Sequence, residues 1–132
     1  MRVLVACEFS GIVRDAFIRR GNFAVSCDIL PSESIDGPHI QDKISHAFSD
    51  PLSWAGYDLM IAHPPCTHLA VSGARHFARK RESGEQQEAL EFVRWLMDLP
   101  IDRICIENPI SIISSQIRKP DQIIQPWQFG HG

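Results

Sequence analysis

Short apolar runs alternate along the chain with longer segments in which apolar residues recur at helical spacing. Five runs predict strands: Arg2 to Cys7, Phe23 to Cys27, a weaker candidate at Pro38 to Ile40, Tyr57 to Ala62, and Arg103 to Ile106. Two further segments, each followed by a glycine or a proline, predict helices: Gly11 to about Arg20, and about Gly84 to Asp98. This alternation favours an α/β domain with a mostly parallel sheet and helices on both faces.

Both predicted helices are amphipathic. The first places four apolar residues at helical spacing: Ile12, Val13, Ala16 and Phe17. The second has a longer apolar face: Ala89, Leu90, Phe92, Val93, Leu96 and Met97. We expect these faces to cover the sheet.

Length and composition are those of one globular domain, residues 1–132. The chain is 44% hydrophobic and 22% charged, and it has no apolar run typical of a signal peptide or a membrane span, so we expect a cytoplasmic protein. Its net charge of −3 gives no general attraction to nucleic acid, which would need a local basic patch.

The four cysteines of the chain lack metal-finger spacing. Cys7, Cys27 and Cys105 lie in the apolar runs and predict reduced core residues.

Polar residues stand where the predicted strands end. In a parallel α/β sheet these ends border the crevice in which ligands bind. The residues concerned are Glu8 to Gly11, Asp28, Asp42, Cys66 and Glu107. An acidic residue after the second strand is the usual partner of ribose hydroxyls, although a turn or helix-capping role suits Asp28 and Asp42 equally. The loop at Gly11 lacks two glycines of the dinucleotide fingerprint.

An apolar strand ends abruptly at a cysteine that follows two prolines. Pro64 and Pro65 restrict the backbone and have no amide hydrogens, which gives Cys66 a stiff mount at the strand tip. This position suits a catalytic nucleophile. The alternative is a small hydrophobe just past a strand.

Glu107 directly follows the last predicted strand and precedes Asn108 and Pro109. Partial desolvation there would favour a protonated carboxyl near neutral pH, which could hold or donate a proton. The alternative is a solvent-facing carboxylate that caps the next helix.

Two histidines, His63 and His68, flank Cys66. A zinc site would need a further ligand pair, which the sequence lacks, so we predict no metal. A cysteine hydrolase or transferase that uses either histidine is a separate hypothesis.

The segment 73–83 is basic within an acidic chain. It contains Arg75, His76, Arg79, Lys80 and Arg81. Phosphate contact by a loop that closes over a nucleotide is the functional interpretation, and a solvated charged loop is the alternative.

Together these motifs resemble the DNA cytosine carbon-5 methyltransferases, especially the small phage-type members. Pro65-Cys66 matches the nucleophile motif of that family, with Ser72-Gly73 in the loop behind it, and Glu107-Asn108 matches its Glu-Asn motif. Phe9-Ser10-Gly11 resembles the first cofactor motif.

The resemblance implies a Rossmann-like fold that depends on S-adenosylmethionine, with sheet order 3-2-1-4-5. It implies eight cofactor-binding residues: Glu8, Phe9, Ser10, Gly11, Asp28, Ile29, Asp42 and Pro64. Asp28 would bind the ribose and Asp42 would contact the adenine. Val13 and Arg14 replace two glycines of the family, which puts Arg14 near the methionine end of the cofactor.

The implied reaction is methyl transfer to carbon 5 of cytosine in DNA. Cys66 would add to carbon 6, Glu107 would protonate or hydrogen-bond ring nitrogen 3, and Asn108 would orient the cysteine loop. The base would leave the duplex stack to react. Nucleic-acid contacts are expected from Ser72, Arg75, Arg79, Lys80 and Arg81.

The family continues past its Glu-Asn motif through a short helix, here about Ile112 to Ile117, and a sixth strand, here near Gln122 to Trp127. A basic motif, a seventh strand and, in larger members, a target-recognition domain follow. Because this chain stops at Gly132, we expect an incomplete C-terminal part whose tail packs loosely or pairs with another copy as a homo-oligomer. A non-catalytic or degenerate binding domain of the same fold is therefore an alternative to an active enzyme.

Overall fold

A computed structural model describes residues 1–65, 84–109 and 111–130 of the chain. Its strands are β1 (Arg2–Ala6), β2 (Phe23–Asp28), β3 (His39–Gln41), β4 (Leu59–Ala62) and β5 (Arg103–Ile106). Its α-helices are α1 (Ile12–Arg19), α2 (Ile44–Ala47), α3 (Glu85–Met97) and α4 (Ile113–Gln116). Two 3₁₀ helices cover Pro51–Trp54 and Pro126–Phe129.

The strands form one parallel sheet in the order β3-β2-β1-β4-β5, which confirms the predicted order. β1 lies at the centre, and its Val3 pairs with Ala24 of β2 on one side and with Leu59 of β4 on the other. Because every strand runs in the same direction, the carboxyl ends of all five meet at one edge of the sheet. The arrangement is an α/β, Rossmann-like fold.

Alternate residues of β1 enter apolar clusters on the two faces of the sheet. Leu4 and Ala6 belong to a large cluster that includes Leu96 of α3. Val3 and Val5 belong to a second cluster, against which Phe17 of α1 packs. Since successive side chains of a strand point to opposite faces, β1 supplies both layers, and its residues 3–6 have no exposed surface.

Helix α1 departs from the predicted apolar face. Ile12 is 71% exposed, whereas Arg14 is fully buried, so the face directed inward includes a charged residue. Val13 and Phe17 do pack against the sheet. The helix begins after Gly11, whose φ of +81° is a left-handed conformation that favours glycine.

The predicted sixth strand near Gln122 to Trp127 is wrong. No strand occurs at this position among the described residues, and a 3₁₀ helix begins at Pro126. Proline has no amide hydrogen to give to a sheet. The side-chain oxygen of Gln128 accepts a hydrogen bond from the Gln125 amide at 2.7 Å, so a local contact replaces strand pairing.

The burial of each of these cysteines depends on the position of its strand in the sheet. Cys27 on β2 is buried and Cys7 after β1 is partly buried, whereas Cys105 is exposed, so its assignment to the core is wrong. β5 is an edge strand of the described sheet, and its side chains alternate between exposed and partly buried.

In the described ranges, no helix is long and apolar enough to cross a membrane.

Replacing Leu4 by alanine is expected to lower the free energy of unfolding by about 2–5 kcal/mol, because it leaves a cavity at the centre of the sheet. Ile35 is 96% exposed, so Ile35→Ala is the matched control, with an expected change within about 0.5 kcal/mol. Urea denaturation followed by circular dichroism measures both. A Leu4→Ala protein as stable as the Ile35→Ala protein would contradict this description of the core.

Candidate functional site

A cavity of about 460 Å³ opens at the carboxyl ends of the strands. Its walls combine apolar and acidic side chains, among them Phe9, Asp28, Ile29, Asp42, His63 and Phe92. Its volume suits a small organic ligand of nucleoside size, and the position is where parallel α/β sheets bind such groups.

The predicted site residues fall into three groups. Phe9, Asp28, Ile29 and Asp42 line the cavity, whereas Glu8, Ser10, Gly11 and Pro64 do not. Glu107 and Asn108 follow β5 at the same edge of the sheet. The remaining predicted residues lie outside the described ranges: Cys66, Ser72, Arg75, Arg79, Lys80 and Arg81.

Asp28 ends β2 at the wall of the cavity. Its Oδ1 accepts a hydrogen bond from the Leu30 amide at 2.9 Å, which fixes the turn after the strand. Its Oδ2 meets no donor from the described part of the chain. Within the described ranges, Asp28 thus fixes the turn through Oδ1 and leaves Oδ2 as an acceptor at the cavity wall.

Both carboxylate oxygens of Asp42 are engaged. Oδ1 accepts a hydrogen bond from the Lys43 amide at 2.7 Å, and Oδ2 lies 2.6 Å from Nδ1 of His46. The hydrogen bond from His46, assisted by the Lys43 amide, holds the pKa of Asp42 below its usual range. The side chain thus stabilises the start of α2 and contributes to the cavity wall.

Two thiols of the lining are poor nucleophiles. Burial, with a smaller contribution from Asp28, raises the pKa of Cys7 to about 12. Burial, with Asp42 second, raises that of Cys27 to about 11. Both thiols stay protonated at neutral pH and serve as apolar wall. Cys7 also has a φ of +58°, a strained backbone for a residue other than glycine.

Glu8 lies beneath the turn that joins β1 to α1, with only 7% of its surface exposed. Its Oε1 accepts a hydrogen bond from the Ser10 hydroxyl, whose oxygen in turn accepts one from the Ile12 amide at 3.2 Å. Its Oε2 is buried and has no donor among the described residues. A buried carboxylate oxygen of this kind is costly unless a cationic or hydrogen-bonding group meets it.

His63 and Glu107 form a pair at the edge of the cavity. Nδ1 of His63 lies 3.1 Å from Oε2 of Glu107. The His63 amide donates to the Ala6 carbonyl and the Glu107 amide to the Ala62 carbonyl, so both residues prolong the sheet hydrogen bonding by one position. The Glu107 side chain is 54% exposed, so about half of its surface is removed from solvent. Nε2 of His63 is buried, with no partner in the described ranges.

Asn108 joins the end of β5 to the proline turn after β4. Its Nδ2 donates a hydrogen bond to the Pro64 carbonyl at 3.0 Å. This contact holds the backbone two residues before Cys66 in the sequence. The Asn108 side chain is therefore placed to orient a loop rather than to react.

Arg14, which was expected near the methionine end of the cofactor, does not line the cavity. Its fully buried guanidinium points into the loop of residues 29–38. Nη1 donates to the Ser26 hydroxyl at 2.9 Å, Nη2 to the Ser34 carbonyl at 3.1 Å, and Nε to Asp15 at 2.8 Å. The hydrogen bond from Arg14, followed by one from Ser34, keeps the pKa of Asp15 below its usual range.

A hydrogen-bonded chain leads from Arg14 to the cavity wall. The Ser26 hydroxyl lies 2.8 Å from Nδ1 of His39, and Nε2 of His39 lies 2.9 Å from the Leu30 carbonyl. A carbonyl only accepts, so Nε2 carries the proton and Nδ1 accepts from Ser26. Because Leu30 lines the cavity, Arg14 helps to set its shape from a distance.

Two glycines make room for this guanidinium. A Cβ atom on Gly37 would lie 2.6 Å from Nε of Arg14, and one on Gly11 would lie 2.7 Å from Nη2. Real Cβ atoms do not approach other atoms so closely. Gly11 therefore serves the packing of Arg14 as well as the turn before α1.

The described residues contain no group of three histidine, cysteine, aspartate or glutamate side chains that could hold a metal ion. No family model matches the chain, and no curated protein or solved structure is significantly similar to it.

Replacing Arg14 by methionine is expected to lower the free energy of unfolding by about 3–5 kcal/mol, because it removes the cation paired with Asp15 and the donor to the buried Ser26 hydroxyl. The matched control is Arg20→Met, which removes an exposed arginine just after the same helix and should change stability by less than about 0.5 kcal/mol. Equal stability of the two variants in urea would show that the Arg14 contacts contribute little.

Proposed function

We propose that the chain is a methyltransferase that transfers a methyl group from S-adenosylmethionine to carbon 5 of cytosine in DNA. The observation that carries this proposal is the cavity at the strand ends, which has Asp28 on one wall and His63 of the Glu107 pair on another. Glu107 and Asn108 stand beside the proline turn that leads to Cys66, as the proposed chemistry requires.

Two features of the cavity support binding of the cofactor. Phe9, Ile29 and Phe92 offer apolar surface for a nucleobase. Asp28 offers an acceptor oxygen for ribose hydroxyls.

The proposed reaction assigns a separate task to each protein group. The Cys66 thiolate adds to carbon 6 of the ring, while Glu107 hydrogen-bonds or protonates ring nitrogen 3 so that the ring accepts the electron pair. Asn108 holds the turn before Cys66 through the Pro64 carbonyl. When bound, S-adenosylmethionine supplies the electrophilic methyl group. Loss of the carbon-5 proton and departure of the thiolate then restore the aromatic ring.

The His63–Glu107 pair favours a second candidate, a cysteine hydrolase or transferase. A histidine that is oriented by a carboxylate can activate a nearby thiol, as in cysteine–histidine catalysis. This candidate requires neither S-adenosylmethionine nor a pyrimidine. The two candidates are therefore separated by their substrates.

Calorimetric titration with S-adenosylmethionine is expected to show saturable binding. Asp28→Ala should weaken it by about 10–100-fold, the equivalent of about 1.5–3 kcal/mol for hydrogen bonds to a charged acceptor. Asp36→Ala is the matched control because Asp36 is exposed and lies outside the cavity lining. A folded wild-type chain that binds no S-adenosylmethionine would defeat the proposed function.

A DNA duplex that contains 5-fluorocytosine should trap the chain covalently in the presence of S-adenosylmethionine, because fluorine blocks loss of the carbon-5 proton. Cys66→Ser should abolish the adduct on a denaturing gel, whereas Cys105→Ser, at an exposed thiol on the edge strand, should retain it. Trapping by the Cys66→Ser chain would contradict the assignment. Rapid thiol alkylation at low pH that disappears in His63→Asn would favour the hydrolase candidate.

A further inference from the structure

We propose that His39 is a positioning residue of the cavity, which holds the backbone of residues 28–30 in the conformation that receives the cofactor. This inference rests on the proposed methyl transfer and adds a residue to its cofactor site. His39 lies on β3 and does not line the cavity. It acts through Leu30, whose carbonyl oxygen lies 2.9 Å from Nε2 of the imidazole.

Two large apolar side chains of the cavity wall are open to solvent. Ile29 is 63% exposed and Leu30 is 46% exposed, and both line the cavity. Apolar surface in water is unfavourable, so side chains of a surface turn gain free energy when they pack against the protein. A backbone that is fixed by other contacts opposes this rearrangement. The exposed pair then forms a surface that a bound ligand can cover.

Side chains of β2 and β3 hold this turn at three points. Oδ1 of Asp28 accepts a hydrogen bond from the Leu30 amide at 2.9 Å. Nε2 of Gln41 donates to the Ile29 carbonyl at 3.4 Å, and Nε2 of His39 donates to the Leu30 carbonyl at 2.9 Å. Leu30 is thus held at both its amide and its carbonyl, which fixes the direction of its side chain. His39 makes the shorter of the two contacts from β3.

The imidazole of His39 is itself held on its other side. The register of the sheet sets Ser26 of β2 opposite His39, and the Ser26 hydroxyl lies 2.8 Å from Nδ1. Nη1 of Arg14 donates to the same hydroxyl oxygen at 2.9 Å, so the hydroxyl proton is available for Nδ1. Both ring nitrogens have a partner, and this arrangement directs the Nε2–H bond at Leu30.

The two ring nitrogens serve different parts of the structure. Nδ1 connects His39 to the buried contacts of Arg14, whereas Nε2 connects it to the cavity wall. A merely structural role would depend on Nδ1, and the positioning role depends on Nε2. Two substitutions separate these roles. The side-chain amide of asparagine takes the place of Nδ1, and that of glutamine takes the place of Nε2.

Calorimetric titration with S-adenosylhomocysteine measures the ligand site without turnover. His39→Asn should weaken binding by about tenfold, which corresponds to the loss of one hydrogen bond, because Leu30 loses its donor. His39→Gln restores a donor at this position and should bind within about threefold of the wild type. Equal losses in both variants, or a greater loss in His39→Gln, would overturn the positioning role.

Hydrogen exchange of the Leu30 amide tests the turn without any ligand. This amide is bonded to Asp28, so its exchange rate reports how often the turn opens. Exchange should be about tenfold faster in His39→Asn and close to the wild-type rate in His39→Gln. The Gly21 amide, which donates to the Ile18 carbonyl after α1, is the internal control and should exchange equally in all three proteins. An unchanged Leu30 rate in His39→Asn would overturn the proposal.

The exchange and binding measurements distinguish the failure of this inference from the failure of the proposed function. Binding of S-adenosylhomocysteine by the wild type, with an unchanged Leu30 rate in His39→Asn, defeats the positioning role alone. A faster Leu30 rate in His39→Asn, with no binding of S-adenosylmethionine or S-adenosylhomocysteine by the wild type, defeats the proposed function.

Discussion

The buried guanidinium of Arg14 is the contact on which the ligand cavity depends. A charge removed from water is tolerated only where its donors meet acceptors, and the loop of residues 29–38 and β2 provide them. The first residues of that loop form the cavity wall. Hydrogen bonds that run from Arg14 through Ser26 and His39 to the Leu30 carbonyl therefore fix the wall from the side that faces away from the cavity. These contacts do not occupy the surface that a ligand would touch. Gly11 and Gly37 are constrained by the same requirement for space.

The cavity has two chemically different sides. On the β2 and β3 side, carboxylates are fixed by backbone amides and by His46, which is the arrangement of a binding surface. On the β4 and β5 side, an imidazole and a carboxylate face each other, and Asn108 fixes the adjacent turn. The fixed carboxylates and the imidazole–carboxylate pair thus lie on opposite sides of the central strand, and the segment that follows this strand adds Cys7 and Phe9 to the lining.

The alternation of apolar runs and helical segments predicted a parallel sheet and the edge at which the cavity opens, whereas the strand order was predicted from the resemblance to a known family. Arg14 could not be predicted as a buried residue, since hydrophobic periodicity treats arginine as solvent-facing. Cys105 was misplaced because an apolar run does not distinguish an edge strand from a central one. The predicted sixth strand does not form because Pro126 has no amide hydrogen for sheet pairing, and a 3₁₀ helix begins there instead. The His63–Glu107 contact depends on the register that sets Ala62 opposite Ile106, which composition alone does not specify.

The central position of β1 also determines the order in which the chain can fold. Val3 and Ala24 are joined by a segment that contains α1, whereas Val3 and Leu59 are joined by a longer segment that also contains β2, β3 and α2. Closing the longer loop costs more entropy, so the β1–β2 pair can form earlier, including on the ribosome while later residues are still being made. The part of the wall that carries Asp28 can therefore form before the His63–Glu107 contact, which requires β4 and β5 to be paired.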